Sequence, residues 1–369
     1  METTRAAPSF VPPLPSQVRV APSASAKTRV EPACGPSLRH EGPLDPRHEA
    51  ALQHCVRLPR IRKNSPACGS DAGKRFNAQR FIDAVPEFSE TTVALLRETF
   101  KRGQSKGRRA RVFGVLGDSI SVSFDFLRGF ESGPQTTENP RGYRLGDEVA
   151  KELRVGDGTV IDYFAGEAAE HENGARRSSF SAVRAAKVGA RASYAFDADE
   201  QPLERLLSRL NPAFVLVTFG ANDAAFRRAP PEALADEFGG HLEAIIDRLL
   251  AEGVVPLISN EMRHGDQPGV KACPSDGEPN DWRIAVATNA TTARAAEIAC
   301  RRNLPFIDLR HALDGATGYG LGPDSVHLST FKQGADVLDA SGLDCGNNIR
   351  NYVTLLGLAR VLRALELRP

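Results

Sequence analysis

Three short polar motifs in this chain hold side chains that could act together on an acyl group. Ser119 stands in Gly117-Asp118-Ser119-Ile120, Asn222 in Gly220-Ala221-Asn222-Asp223, and His327 closes Asp324-Ser325-Val326-His327. A serine hydroxyl is a weak nucleophile until a base stands within hydrogen-bond reach. Histidine suits that task because its ordinary pKa lies near neutrality. A carboxylate three residues before it can fix the imidazole tautomer and stabilise the imidazolium. An asparagine amide, with backbone N–H groups, can hold the oxyanion that forms on attack. Taken singly each motif is weak, because glycine followed by Asp or Asn also makes ordinary turns, and Asp-x-x-His also makes caps and surface pairs.

The elements around these motifs must place them at one rim. Residues 111–116 form a short apolar run that stops at Gly117, the pattern of a buried strand delivering Ser119 to its carboxyl end. Ligands in open α/β sheets collect at that end. Residues 213–219 read as a strand covered on both faces, and it stops at the asparagine motif. Residues 159–164, 254–259 and 305–309 read as further strands. Helical patterns fall at residues 89–101, 145–153, 202–210, 231–252, 282–303 and 352–367. Strand and helix alternate, which predicts a three-layer α/β/α sandwich on a mainly parallel, five-stranded sheet.

In this order, on this alternation, the motifs resemble the SGNH hydrolases, also called GDSL esterases/lipases, across roughly residues 110–367. The resemblance implies a flavodoxin-like fold with Ser119 as nucleophile, His327 as base and Asp324 as the acid that orients it. It implies an oxyanion hole of Ser119, Gly189 and Asn222, with Gly166 the alternative glycine, and Asn289 matches an asparagine frequent in the family. The implied reaction is hydrolysis of a carboxylic ester through an acyl-enzyme, with a short-chain acyl or acetylated carbohydrate substrate favoured and no metal or cofactor required. An O-acyltransferase with the same triad, or a binding module that kept the fold, are the competing readings. Arg191 and Arg350, with Arg141 and Arg263, are candidates for contacting an anionic or sugar-like part of the substrate. The other histidines singled out, His171, His241, His264 and His311, lack an acid at comparable spacing and read as surface or helix residues.

The rest of the chain bounds these expectations. With 41% hydrophobic and 25% charged residues, composition is that of an ordinary globular protein. Residues 1–110 carry 19 Lys/Arg against 10 Asp/Glu, so the net charge of +1 conceals a basic leader on an acidic remainder. Those basic residues are scattered without interleaved aromatics, so no nucleic-acid partner is expected. Residues 1–75 read as a disordered leader, 76–110 as a helix and basic linker docking on the main domain, and 111–369 as the catalytic domain. No apolar run is long enough to span a membrane, and no signal-peptide core stands at the start, the pattern of a cytoplasmic protein unless its true start lies upstream. Six cysteines without a Cys-x-x-Cys argue against a zinc site. Cys273 and Cys345 are the pair that could form a disulfide after export, with Cys300 a buried thiol.

Overall fold

The central sheet of the computed structural model holds five strands: β1 (Arg109–Gly117), β2 (Ala185–Ala186), β3 (Pro212–Thr218), β4 (Val255–Ser259) and β5 (Phe306–Ile307). All pair in parallel, in the order β2-β1-β3-β4-β5. The structure describes residues 68–69, 77–171, 173–225, 229–264 and 283–369, and of residues 283–286 only the backbone. Most of the expected leader, and Cys273, lie outside the described residues.

Alternation along the strands explains the layering. Phe113 and Val115 of β1, Phe214 and Leu216 of β3, and Val255 and Leu257 of β4 enter one hydrophobic core. Val112 and Leu116, Val215 and Val217, and Ile258 enter the other. A sheet buried on both faces needs helices on both. The described helices are α1 (Ala78–Ala84), α2 (Glu90–Ser105), α3 (Ser119–Val122), α4 (Asp147–Glu152), α5 (Val160–Ala165), α6 (Pro202–Leu210), α7 (Ala221–Ala224), α8 (Pro231–Ala251), α9 (Arg283–Arg301), α10 (Leu309–Leu313) and α11 (Gly346–Ala364). Helices α1, α2, α5, α10 and α11 cover the first face, and α6, α8 and α9 the second. The three-layer α/β/α sandwich expected from the sequence is the fold observed.

The strands end level with one another. Ala186, Gly117, Thr218, Ser259 and Ile307 stand in register across the sheet. Whatever follows them emerges at one rim, and the order reverses between β1 and β3, where such sheets bind ligands.

Two local expectations are corrected. Residues 159–164, read as the second strand, form α5, because Thr159 and Asp162 close a reciprocal capping box that satisfies the first helical amides. The second strand is instead the two-residue β2. The closing helix starts at Gly346 rather than at residue 352. Its first turns bury Asn347, Asn348, Arg350 and Asn351, polar residues that read as loop. They hydrogen-bond to loop backbone: Asn351 accepts from Leu127 N (3.0 Å) and donates to Asp125 O and Ala335 O (both 2.9 Å). Asn348 accepts from Phe331 N (3.1 Å) and donates to Gly334 O (2.8 Å) and Val337 O (2.9 Å).

The expected Cys273–Cys345 pair is not formed, since Cys345 is bonded to Cys68, 277 residues away in sequence. Beside it, Gly69 N donates to Asp344 Oδ2 at 2.9 Å, which tethers this part of the leader next to the start of α11. Cys300 is also disulfide-bonded rather than a buried thiol. No helix among the described residues is long and apolar enough to cross a membrane.

Candidate active site

Ser119 begins α3 immediately after β1, with Asp118 as the capping residue: its carboxylate accepts from Ile120 N at 3.2 Å. The glycine of Gly117-Asp118-Ser119 is a packing requirement. A Cβ there would lie 2.4 Å from Ser121 Oγ and 2.7 Å from Thr218 O, so no other residue lets α3 fold back this tightly on β1 and β3.

Asn222 lies on α7, four residues past the end of β3. Its Nδ2 donates to Asp118 Oδ2 at 2.9 Å, so a single carboxylate caps the serine turn and holds the asparagine amide. Asp223, the next residue, is buried and accepts the Ala192 N–H on both oxygens, at 3.1 and 3.2 Å. Burial pushes its carboxyl up to about 7, with Asp118 adding to the rise and Arg191 opposing it. Both aspartates hold the backbone of the loops around Ser119 and Gly189.

Gly189 sits in the turn after β2. Lys187 N donates to Gly117 O at 3.2 Å and Ala190 N to Lys187 O at 3.1 Å, so this turn springs from the strand residue two before the serine. Gly189 has φ +75°, which its neighbours with side chains rarely adopt, and no atom lies within 4 Å of where a Cβ would be. Gly166 lies at the C-terminal end of α5, its Cβ position 2.7 Å from Arg111 Nη1, near the opposite end of β1.

Asp324 and His327 share one turn. Asp324 Oδ1 accepts from Val326 N (3.0 Å) and His327 N (2.9 Å), and Oδ2 pairs with His327 Nδ1 at 2.6 Å. Partial burial would raise the Asp324 pKa, but the bonds from the His327 ring and from both amides outweigh it and hold the carboxyl below its usual range. The turn is tied at its base by Gly322 N to His327 O (2.7 Å) and Ser329 N to Gly320 O (2.8 Å). Asn347 of α11 braces it through Leu328 O at 3.2 Å. Hydrogen bonds thus join Asp324 to His327 and Asn222 to Asp118, and none among the described residues links Ser119 to His327. Catalytic hydrogen bonds are often long in free enzymes and tighten on the substrate.

The remaining candidates separate. Arg350 does not face a substrate loop. It is 2% exposed on α11, beneath the serine turn, donating to Ile120 O and to Ser121 Oγ (3.0 Å) and stacked 3.6 Å from the Phe126 ring centroid. Arg191 is exposed at the start of the turn after Gly189, and Arg141 is exposed in its loop. Arg263 is committed to Asp314 (2.8 Å) and to the face of Tyr319. Asn289 accepts from the half-buried Arg310.

Two groups were missed at this rim. His264, expected at the surface, has both ring nitrogens buried without a hydrogen-bond partner, and burial, with Arg310 and His327 nearby, pulls it down to about 4. Glu261, two residues past β4, is 1% exposed. Its only sequence signal is a charged residue two positions after a strand of buried apolar ones.

Residues 115–331, more than half of the chain, match the GDSL-like Lipase/Acylhydrolase family. The chain belongs to that family. It is therefore an SGNH-type hydrolase acting on ester bonds. Among solved structures it is similar to a lipase/acylhydrolase from Enterococcus faecalis, at 20% identity and TM-score 0.30, over 59% of this chain and 86% of that one. A GDSL-like lipase from Bacteroides thetaiotaomicron shares 12% identity at TM-score 0.35, over 71% and 96%. A catalytic mutant of an acetylxylan esterase from Geobacillus stearothermophilus shares 15% at TM-score 0.35, over 70% and 96%. No curated protein matches the sequence. The GDSL match spans Ser119, Gly189, Asn222, Asp324 and His327 and stops before α11.

Proposed function

We propose that this GDSL hydrolase cleaves a carboxylic ester through an acyl-enzyme on Ser119. Ser119 Oγ attacks the carbonyl carbon and gives its proton to His327 Nε2. Asp324, already paired to Nδ1, stabilises the imidazolium. The oxyanion is held by the backbone N–H groups of Ser119 and Gly189 and by the Asn222 amide, whose second N–H is left over from its bond to Asp118. Collapse expels the alcohol, which takes the proton from His327, and water then repeats the sequence on the acyl-enzyme.

The observation that carries this reading is the Asp324 carboxylate, with one oxygen pinned by two backbone amides and the other on the imidazole. The side chains of His327 and Asp324 are 54% and 52% exposed, and the Gly189 turn is open. Water reaches such a site freely, which favours hydrolysis over acyl transfer to a sugar hydroxyl. An open site also suits a short-chain acyl ester or an acetylated carbohydrate.

Fluorophosphonate labelling of wild type, with Ser119→Ala as control, tests the nucleophile. Folded wild type that does not label would overturn the assignment. A panel of esters of graded acyl length, acetylated sugars included, tests the substrate class, with turnover expected to fall as the acyl chain lengthens.

A further inference from the structure

Behind the serine turn the structure buries two carboxyls and one cation. Asp118, Glu261 and Arg350 are 1%, 1% and 2% exposed. The register places them together: β1 and β4 flank β3, Gly117 and Ser259 stand level with Thr218, and α11 packs on this face of the sheet. Asp223 on α7 and Arg310 on α10 are the other charged groups near Glu261.

Two carboxylates sharing a dry site with one guanidinium cannot both ionise cheaply. The hydrogen bonds say which one carries charge. Burial pushes the Asp118 carboxyl up to about 6, but Arg350 and the bonds that Asp118 accepts from Ile120 N and Asn222 Nδ2 favour the ionised form, so it carries charge at neutral pH. Neither buried Glu261 oxygen has a hydrogen-bond partner among the described residues, and the Asp118 charge acts on this carboxyl. A carboxylate left so is costly, whereas an acid carrying a proton toward Asp118 is not. Burial, and then the charge on Asp118, push the Glu261 carboxyl well above its usual range.

We propose that Glu261, as an uncharged acid, is a positioning residue for the nucleophile: with Arg350 it fixes Asp118 as the carboxylate that caps the Ser119 turn and aims the Asn222 amide. Glu261 touches neither substrate nor reacting atoms. Its effect runs through Asp118 to the oxyanion donor, so it acts on the transition state more than on ground-state binding. Raising the pH strips its proton, sets a second negative charge beside Asp118 and disturbs both contacts, so turnover falls on the alkaline side.

The inference rests on the catalytic reading of Ser119, and the experiment separates the two. Glutamine at this position is a neutral isostere, so Glu261→Gln is expected to keep kcat within about threefold of wild type at neutral pH and to lose the alkaline fall in kcat. Glu261→Ala is expected to lose about tenfold or more in kcat with KM nearly unchanged. Independently of turnover, the infrared spectrum of wild type at neutral pH should hold a protonated-carboxyl stretch that Glu261→Gln lacks. Identical infrared spectra, or an unchanged alkaline limb in Glu261→Gln, would overturn the proposal while Ser119 labelling leaves the esterase standing. A present infrared band with no labelling of Ser119 would instead remove the catalytic reading, and the positioning role with it.

Discussion

Asp118 Oδ2 accepts the Asn222 amide at 2.9 Å while Oδ1 caps the helical turn that Ser119 begins, so the proposed nucleophile and the proposed oxyanion donor share one anchor. Asn222→Ala should lower kcat by about 10²–10³-fold with little change in KM, the usual cost of one oxyanion donor. Asp118→Ala should also lower kcat and, through the lost cap, cost about 1 kcal/mol of stability. Steady-state kinetics and denaturant melts check both. A variant lacking Asn222 with unaltered kcat would remove it from the oxyanion hole.

Asp324→Asn keeps the shape of the turn but presents the wrong partner to His327 Nδ1. A fall in kcat of about 10³–10⁴-fold is expected, as for triads generally, with thermal stability nearly unchanged. Retained activity would mean that another group orients the base.

Stability should respond to pH through His264. Its ordinary value of 6.5 is lowered to about 4 in the folded protein, by burial first, then by Arg310 and His327. Between those values the unfolded chain binds the extra proton, so this contribution is complete above about 6.5 and is lost as the pH falls through about 4. His264→Gln should flatten that part of the acid-side decline in Tm. An unchanged curve would show that the ring is solvated and its nitrogens are satisfied.

The Cys68–Cys345 disulfide closes a long loop onto the residue before α11. Cys68→Ser should cost about 2–4 kcal/mol in denaturant melts under oxidising conditions. Under reducing conditions wild type and variant should converge to the extent that this bridge dominates. Equal stability without reductant would show that the bridge adds nothing to the folded state.

Much of the candidate site was readable because Ser119 and Asn222 sit past strand ends, where an apolar run halts at Gly-Asp-Ser or Gly-Ala-Asn. What escaped has physical causes. Val160, Ile161, Tyr163 and Phe164 are all buried, and a short apolar run of that kind fits a buried strand or a buried helix equally. The capping box at Thr159 and Asp162 decided it. The first turns of α11 hid behind Asn347, Asn348, Arg350 and Asn351, whose inward polar side chains bond neighbouring loops and, for Arg350, the serine turn, and so erase the expected periodicity. Pairing of Cys345 depends on where the chain returns in space, which spacing along the sequence does not encode. Glu261 and His264 are single residues with no motif around them.

The level strand ends have an engineering consequence. With Ala186, Gly117, Thr218, Ser259 and Ile307 in one row, the loops that follow the five strands all open at the same rim. The amino ends of the strands are a separate surface about 26 Å away along β1, at roughly 3.3 Å per residue from Arg109 to Gly117. Selection for a new acyl group can work on the first rim, and fusion or immobilisation can use the second. The two can be altered without renegotiating the hydrophobic layers between them.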